Sequence, residues 1–224
     1  MNIPAVVAFD VNETLLDLRA LDPHFVRVFG DAAVRPLWFA QMLQLAFIGA
    51  ITGEYIDFTT AQRRALQMIA TRRGVTVAAT DAAAIADQMT RLPPHEDVAA
   101  ALERLAGTGA TLVALTNSPG AVADAQLRNA GIRDRFAQAF SADTVRRLKP
   151  AAEPYRMVAA QTGVTPGEVM LVAAHGWDIS GALAAGLRAA FVARPGAVLD
   201  PEGPQPEIVG AGLAAVADRI IALA

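Results

Sequence analysis

The sequence predicts a parallel α/β fold that carries an all-helical insertion directly after its first strand. Two patterns predict it. Short continuous apolar runs recur along the chain with helical periodicity between them, and one long stretch, about 17–91, has helical periodicity and no convincing strand. Composition agrees: of 224 residues, 54% are hydrophobic and 18% charged, below the usual ~25%, which suits a packed core rather than disorder. Much of the apolar count is alanine, which favours helices. The length fits one domain or one and a half, since domains commonly run ~100–200 residues.

Residues Ala5–Phe9 read A-V-V-A-F and end on Asp10, a run that fits a strand buried on both faces. Helical periodicity then runs through Pro36–Ile48, Tyr55–Arg72 and Asp81–Arg91, with Pro36 as the expected start of its helix. Leu92-Pro93-Pro94-His95 reads as the return hinge, because two prolines forbid helix continuation. The expected division is therefore 1–16 and 92–224 for the α/β core and 17–91 for a separate helical cap. Beyond the hinge, a helix over Glu96–Leu105 leads to a strand at Thr111–Leu115. Ser118-Pro119 offers an N-cap residue and a proline to open the next helix, which runs to Gly131. Further strands are expected at Glu168–Ala173 and Arg188–Val192, and further helices at Ala152–Gln161 and Asp178–Ala185.

Several function classes recede on composition. A formal charge of −3 without a basic stripe argues against nucleic acid as a partner. With no cysteine the fold needs no oxidising compartment. Asp10 interrupts the first apolar run, so a signal peptide is not expected, and Pro36–Ile51 is broken by Gln41 and Gln44 and falls short of the ~20 residues that span a bilayer. The expectation is a cytoplasmic protein with no membrane partner. Gly210–Ala215 imitates a dinucleotide fingerprint but lies too near the C-terminus to open a βαβ unit. His24 and His95 have no acid or cysteine at metal-ligand spacing and read as surface or hinge residues.

In parallel α/β folds working groups gather at the carboxyl ends of the strands. There the sequence places Asp10, then Thr116-Asn117-Ser118, then Lys149 ahead of a helix, then His175 to Asp178. F-D-V-N-E-T-L at Phe9–Leu15, L-T-N-S at Leu115–Ser118, K-P at Lys149–Pro150 and the acid Asp178 together resemble the four motifs of the haloacid dehalogenase superfamily. K-P-x-x-x-x-Y at Lys149–Tyr155 and A-A-H-G-W-D at Ala173–Asp178 make the chain most similar to the L-2-haloacid dehalogenase (type II) branch.

The resemblance implies a Rossmann-like core with a helical cap and a bacterial hydrolase that displaces halide from small 2-haloacids, with fluoroacetate among the candidates. In it Asp10 is the nucleophile, Thr14 holds its oxygens, and Lys149 keeps it ionised. Thr116 and Asn117 donate to the nucleophile or substrate, and Asn12 and Tyr155 join the binding residues. Asp178 holds Lys149 or helps activate water, a role compatible with capping the helix after it. His175 departs from the branch pattern and could activate water as a base; Trp177 either lines the leaving-group pocket or packs the core.

Asn12 decides against the superfamily's phosphatases, which carry a proton-donating aspartate two residues after the nucleophile; Glu13, the next residue, should point elsewhere. Ala174 stands where a second Mg²⁺ carboxylate would be expected, so no metal or cofactor is called for. A halide leaves unprotonated and tolerates both absences. The cap departs most. Phe39 stands where the branch carries a substrate-gripping arginine, which leaves three readings: Gln41 or Arg35 takes over, the halide is small or held by N–H donors of Trp177 and His175, or haloacid turnover is lost. A phosphatase with an unusual acid and a non-catalytic relative remain the alternatives. The apolar Trp38–Ile48 helix, with more hydrophobic faces than one cap can bury, predicts a homodimer.

Overall fold

The computed structural model describes residues 2–223, so positions 1 and 224 of the expected core fall outside it. Six parallel strands form one sheet: β1 (Val6–Phe9), β2 (Thr111–Thr116), β3 (Gln138–Ser141), β4 (Val169–Ala173), β5 (Arg188–Val192) and β6 (Ile208–Gly210), in the order β3-β2-β1-β4-β5-β6. β1 lies in the middle, with Phe9 opposite Ala114 of β2 and Val172 of β4. Its side chains alternate across the sheet. Val7 and Phe9 join the core on one face, Val6 and Ala8 the core on the other, and all four are buried. A residue at the carboxyl end of β1 is thus held from both sides.

The two strands that hydropathy does not single out, β3 and β6, are the sheet's edges. Each is short and partly exposed, so neither carries the unbroken apolar run of a central strand.

Between β1 and β2 come a 3-10 turn at Leu18–Leu21 and five helices: α1 (Asp22–Phe29), α2 (Val34–Thr52), α3 (Phe58–Arg73), α4 (Ala79–Met89) and α5 (Val98–Ala106). α6 (Gly120–Asn129), α7 (Ala152–Thr162), α8 (Gly176–Ala184) and α9 (Leu213–Ile221) complete the chain. The chain leaves and re-enters the sheet layer side by side, for the Asp17 amide donates to the Pro93 carbonyl at 2.8 Å and the His95 amide to the Leu15 carbonyl at 2.9 Å.

Several helix starts differ from the sequence expectation: α3, α4 and α5 begin at Phe58, Ala79 and Val98 rather than Tyr55, Asp81 and Glu96, and three others differ closer to the site. α2 begins at Val34, not Pro36, because a proline in the first turn removes an N–H that has no helical acceptor anyway. Arg35 thereby becomes helical, one turn before Phe39 on the same face. α2, at 19 residues, is also long and apolar enough by length and composition to cross a membrane; here it buries Trp38, Phe39, Met42, Leu43 and Ala46 within the protein. Ser118 does not cap α6, whose N-cap is Pro119. Asp178 does not cap α8 either: His175 holds that position and Asp178 sits in the first turn. Gly210–Ala215 forms the turn from β6 into α9, the last two elements of the chain.

Candidate active site

Asp10 leaves β1 with its amide bonded to the Val172 carbonyl at 3.0 Å. The loop that follows folds back on itself, the Leu15 and Leu16 amides both reaching the Val11 carbonyl, and this returns Thr14 to the nucleophile position. The Thr14 hydroxyl donates to Asp10 Oδ2 at 2.6 Å and accepts the Ala174 amide at 2.9 Å, so one residue ties the ends of β1 and β4 together. Arg194 secures the same loop from β5, its Nε and Nη2 donating to the Thr14 carbonyl at 3.2 and 3.0 Å.

Lys149 is almost wholly buried, and its ammonium is fully committed. It donates to Asp10 Oδ1 at 2.9 Å, to the Leu115 carbonyl at 3.0 Å and to Asp178 Oδ2 at 2.6 Å. Three donors meet three acceptors, as a buried ammonium requires. The backbone on either side of that side chain is clamped by Asn117, whose Oδ1 accepts the Lys149 amide at 2.7 Å while its Nδ2 donates to the Lys149 carbonyl at 3.2 Å. Tyr155, on α7, donates its hydroxyl to Asp178 Oδ1 at 2.5 Å.

Burial alone would raise the Asp10 carboxyl, but the Lys149 ammonium, with His175 and the Thr14 hydroxyl, outweighs it and holds Asp10 below the ordinary aspartate value. Burial would lower Lys149, and the two carboxylates overcome it, so Lys149 stays charged above its ordinary value. Asp178 is moved up by burial, with Lys149 opposing and Asp10 reinforcing the rise. Of the two carboxylates, Asp10 is thus the one whose surroundings favour the ionised form.

A cavity of about 530 Å³ lies between α2 of the helical insert and the carboxyl ends of the strands; Asp10, Lys149 and Asp178 do not line it, and His175, which does, stands with Nε2 3.7 Å from Asp10 Oδ2. Phe39, His175 and Trp177 line it as a stack of rings, with centroids 5.7 Å apart for the first pair and 5.2 Å for the second. Phe47 closes the stack edge-on against Trp177. His175 Nε2 lies 3.1 Å from the Asn12 carbonyl. A carbonyl only accepts, so Nε2 carries the proton, and only Nδ1 is left to act as a base. That ring nitrogen is therefore not the free halide donor that the sequence suggests, whereas Trp177 Nε1, buried, has no partner among the described residues.

Five sequence candidates sit elsewhere than expected. Asn12 turns its amide away from the cavity, accepting from Gln126 Nε2 at 2.9 Å and donating to Ser118 Oγ at 3.4 Å. Thr116 and Asn117 do not donate to Asp10 among the described residues; the Thr116 hydroxyl accepts the Ser118 amide, and Asn117 grips the lysine backbone. Tyr155 is wholly buried behind Asp178 and touches no cavity. Gln41 bonds Gln44 and Arg72 on the α2–α3 side and faces a different groove.

Two residues that the sequence reading passes over do line the cavity. Glu13 was expected to point elsewhere, but its φ of +64° turns its side chain in, where its carboxylate stands 3.7 Å from His175 Nε2. The signal was steric, a left-handed turn of the kind glycine favours, and hydropathy carries none of it. His95, read as a hinge residue, lies at the hinge and also lines the cavity, with Nε2 3.1 Å from the Glu13 carbonyl.

A family model described as haloacid dehalogenase-like hydrolase matches residues 4–186. An (S)-2-haloacid dehalogenase of Xanthobacter autotrophicus is 31% identical over 190 residues, 84% of this chain and 74% of that protein. Haloacetate dehalogenase H-2 of Moraxella sp. (strain B) is 27% identical over 205 residues, covering 90% and 91%. The solved structure of the L-2-haloacid dehalogenase from Xanthobacter autotrophicus, with chloropropionic acid covalently bound, superposes with a TM-score of 0.91 at 26% identity over the whole of both chains.

Proposed function

The chain belongs to the haloacid dehalogenase-like hydrolases, and from that premise we infer that it is a hydrolytic dehalogenase of small 2-haloacids. The observation that carries the reading is the buried Asp10–Lys149–Asp178 cluster, which His175 joins to an adjoining aromatic cavity, with no proton-donating acid two residues after Asp10. In the proposed reaction an Asp10 carboxylate oxygen attacks the carbon that bears the halogen. The carbon–halogen bond breaks with its electron pair, halide departs, and an aspartyl ester remains. Water then adds to the ester carbonyl and gives one proton to a base; the acyl C–O bond breaks, the other water proton ends on the departing alkoxide, and the 2-hydroxy acid leaves Asp10 as a carboxylate.

Each neighbouring group has a role consistent with its geometry. Lys149 keeps Asp10 ionised at the start and balances the charge that returns when the ester opens. Thr14 fixes the carboxylate plane, since a rotated carboxylate would present the wrong lone pair. Asp178 and, behind it, Tyr155 hold the lysine in register; Tyr155 is a positioning residue rather than a substrate contact. Trp177 Nε1–H is the available donor to a departing halide, and Nδ1 of His175 is the imidazole nitrogen left to accept from water.

A phosphatase reading finds less support. Asn12 has no proton to give a leaving alkoxide, and its amide is already tied to Gln126 and Ser118. We further propose a cytoplasmic homodimer, on the exposed apolar residues of α2. The test is direct: chloride or fluoride release from chloroacetate and fluoroacetate, with and without EDTA, beside phosphate release from an aryl phosphate with Mg²⁺. Halide release unaffected by EDTA is expected. Phosphate release alone, or halide release restored only by Mg²⁺, would overturn the reading.

A further inference from the structure

The cavity contains three arginines, and their bonding separates them. Arg19 is mostly exposed and spent on Asp17. Arg194 uses Nε, Nη1 and Nη2 on the Thr14 carbonyl and Asp97. Arg35 is different. Its side chain is only 12% exposed, its Nε donates to Asp22 at 2.6 Å, and its Nη1 makes one long contact of 3.4 Å to Glu13 Oε1. A guanidinium has five N–H donors, so most of the fork that matches a carboxylate has no partner among the described residues. Arg35 lies one helical turn before Phe39, on the face of α2 that looks into the cavity.

The group that touches Arg35 there is itself a carboxylate held in an unusual backbone conformation. Glu13 has a φ of +64°, in the left-handed region that favours glycine. Its conformation is fixed at both ends, by the amide donating to the Leu16 carbonyl at 2.8 Å and by the carbonyl accepting from His95. The outcome is a carboxylate parked between Arg35 and His175, 3.4 Å from one and 3.7 Å from the other.

We propose that Arg35 is the carboxylate-binding residue of this cavity and that Glu13 is an internal carboxylate occupying it until a small carboxylate ligand displaces it. The inference rests on the dehalogenase reading for the charge and size of that ligand. It explains how the site tolerates Phe39 where relatives in the branch place arginine: the cation has moved one turn back along α2, and the phenyl ring packs on His175 instead. It also gives a reason for a strained Glu13. With Asp22 already on Nε, Glu13 adds a second carboxylate to the Arg35 guanidinium, at a distance that a bidentate ligand can better.

The test is calorimetric titration of the full chain with glycolate, which carries the carboxylate and no halogen. Wild type should bind it. Arg35→Lys, which keeps the charge and loses the fork, should weaken binding about ten-fold, and Arg35→Ala about thirty-fold or more, as the loss of charge-assisted hydrogen bonds predicts. Glu13→Gln should tighten it several-fold, and should add nothing in an Arg35→Ala background. Glycolate binding that ignores Arg35→Lys, weakens in Glu13→Gln, or is absent from wild type overturns the proposal; if Arg35→Ala does not fold, the Lys and Gln variants decide. Halide release from chloroacetate, measured alongside, keeps the two readings apart. Arg35-dependent glycolate binding without halide release leaves the anchor standing and removes the dehalogenase, whereas halide release with a KM indifferent to Arg35→Lys removes only the anchor.

Discussion

Asp10, Lys149 and Asp178 place two carboxylates and one ammonium out of water, and the sign of each shift sets the pH behaviour. Asp10 is held below its ordinary 3.8, so its contribution to stability is present above pH about 3.8 and is lost as pH falls through the lower folded value. Lys149 is held above its ordinary 10.5, so its contribution is present below about 10.5 and is lost as pH rises through the higher folded value. Neither group therefore changes charge between about pH 4 and 10, and kcat/KM for chloroacetate should show no limb from them in that window. A limb that does appear there and vanishes in His175→Gln would identify the imidazole as the water-activating base; one that persists in that variant would exclude it.

At the same scale, Asp10→Asn should abolish halide release, by more than about a thousand-fold, with an unchanged circular dichroism spectrum. Activity retained at a few per cent in a clean preparation would rule out the covalent route. Lys149→Met should cost about 3–5 kcal/mol in urea unfolding, because it leaves two buried carboxylates without their cation.

Among the elements, α8 does most to position the cluster. Its first turn carries Asp178 near the positive end of the helix, and its later turn lies against Pro150 and Tyr155 at Gly181. A methyl added at Gly181 would meet the Tyr155 hydroxyl at 2.5 Å and the Pro150 Cβ at 2.7 Å. Those two residues flank the Lys149–Asp178 contact. Gly181→Ala is thus expected to lower stability by about 1–3 kcal/mol and to depress kcat with it. Gly167→Ala is the control, with no atom within 4 Å of the new methyl, and should leave both nearly unchanged. A melting temperature for Gly181→Ala equal to that of the control would show that α8 can shift freely and that its packing does not set the site.

For the whole molecule, the division of labour runs between sheet and insert: the strands fix Asp10 and its counter-charges, while α2 brings Phe39 and Arg35 into the adjoining cavity. The same helix buries one side in the protein and leaves Leu37, Ile48 and Ile51 exposed, the last at 84%. Exposed apolar residues in a row along one helix mark an interface more often than a solvent face. Light scattering at micromolar concentration should return twice the chain mass, and Ile48→Lys should shift it toward the monomer. A monomeric wild type would leave that surface without a partner.

The sequence by itself determined the central sheet and the place of Asp10 in it. A strand buried on both faces must be an unbroken apolar run, and A-V-V-A-F ending on Asp10 can be read as one without any other part of the chain. It likewise determined the helical insert, since periodicity and the paired prolines are local signals. The edge strands β3 and β6 escaped because half-exposed strands mix polar and apolar residues and imitate loops. What only the tertiary structure decided is which side chains face Asp10. Asn12, Gln41 and Tyr155 have suitable chemistry and point elsewhere; Glu13 was set aside on local grounds and points in, because one backbone angle of +64° outweighs its position in the motif. The identity of a side chain is fixed by the sequence, but its direction depends on φ, on helix phase and on partners more than a hundred residues away, such as Gln126 for Asn12. Of these only helix phase has a periodic signature in the chain.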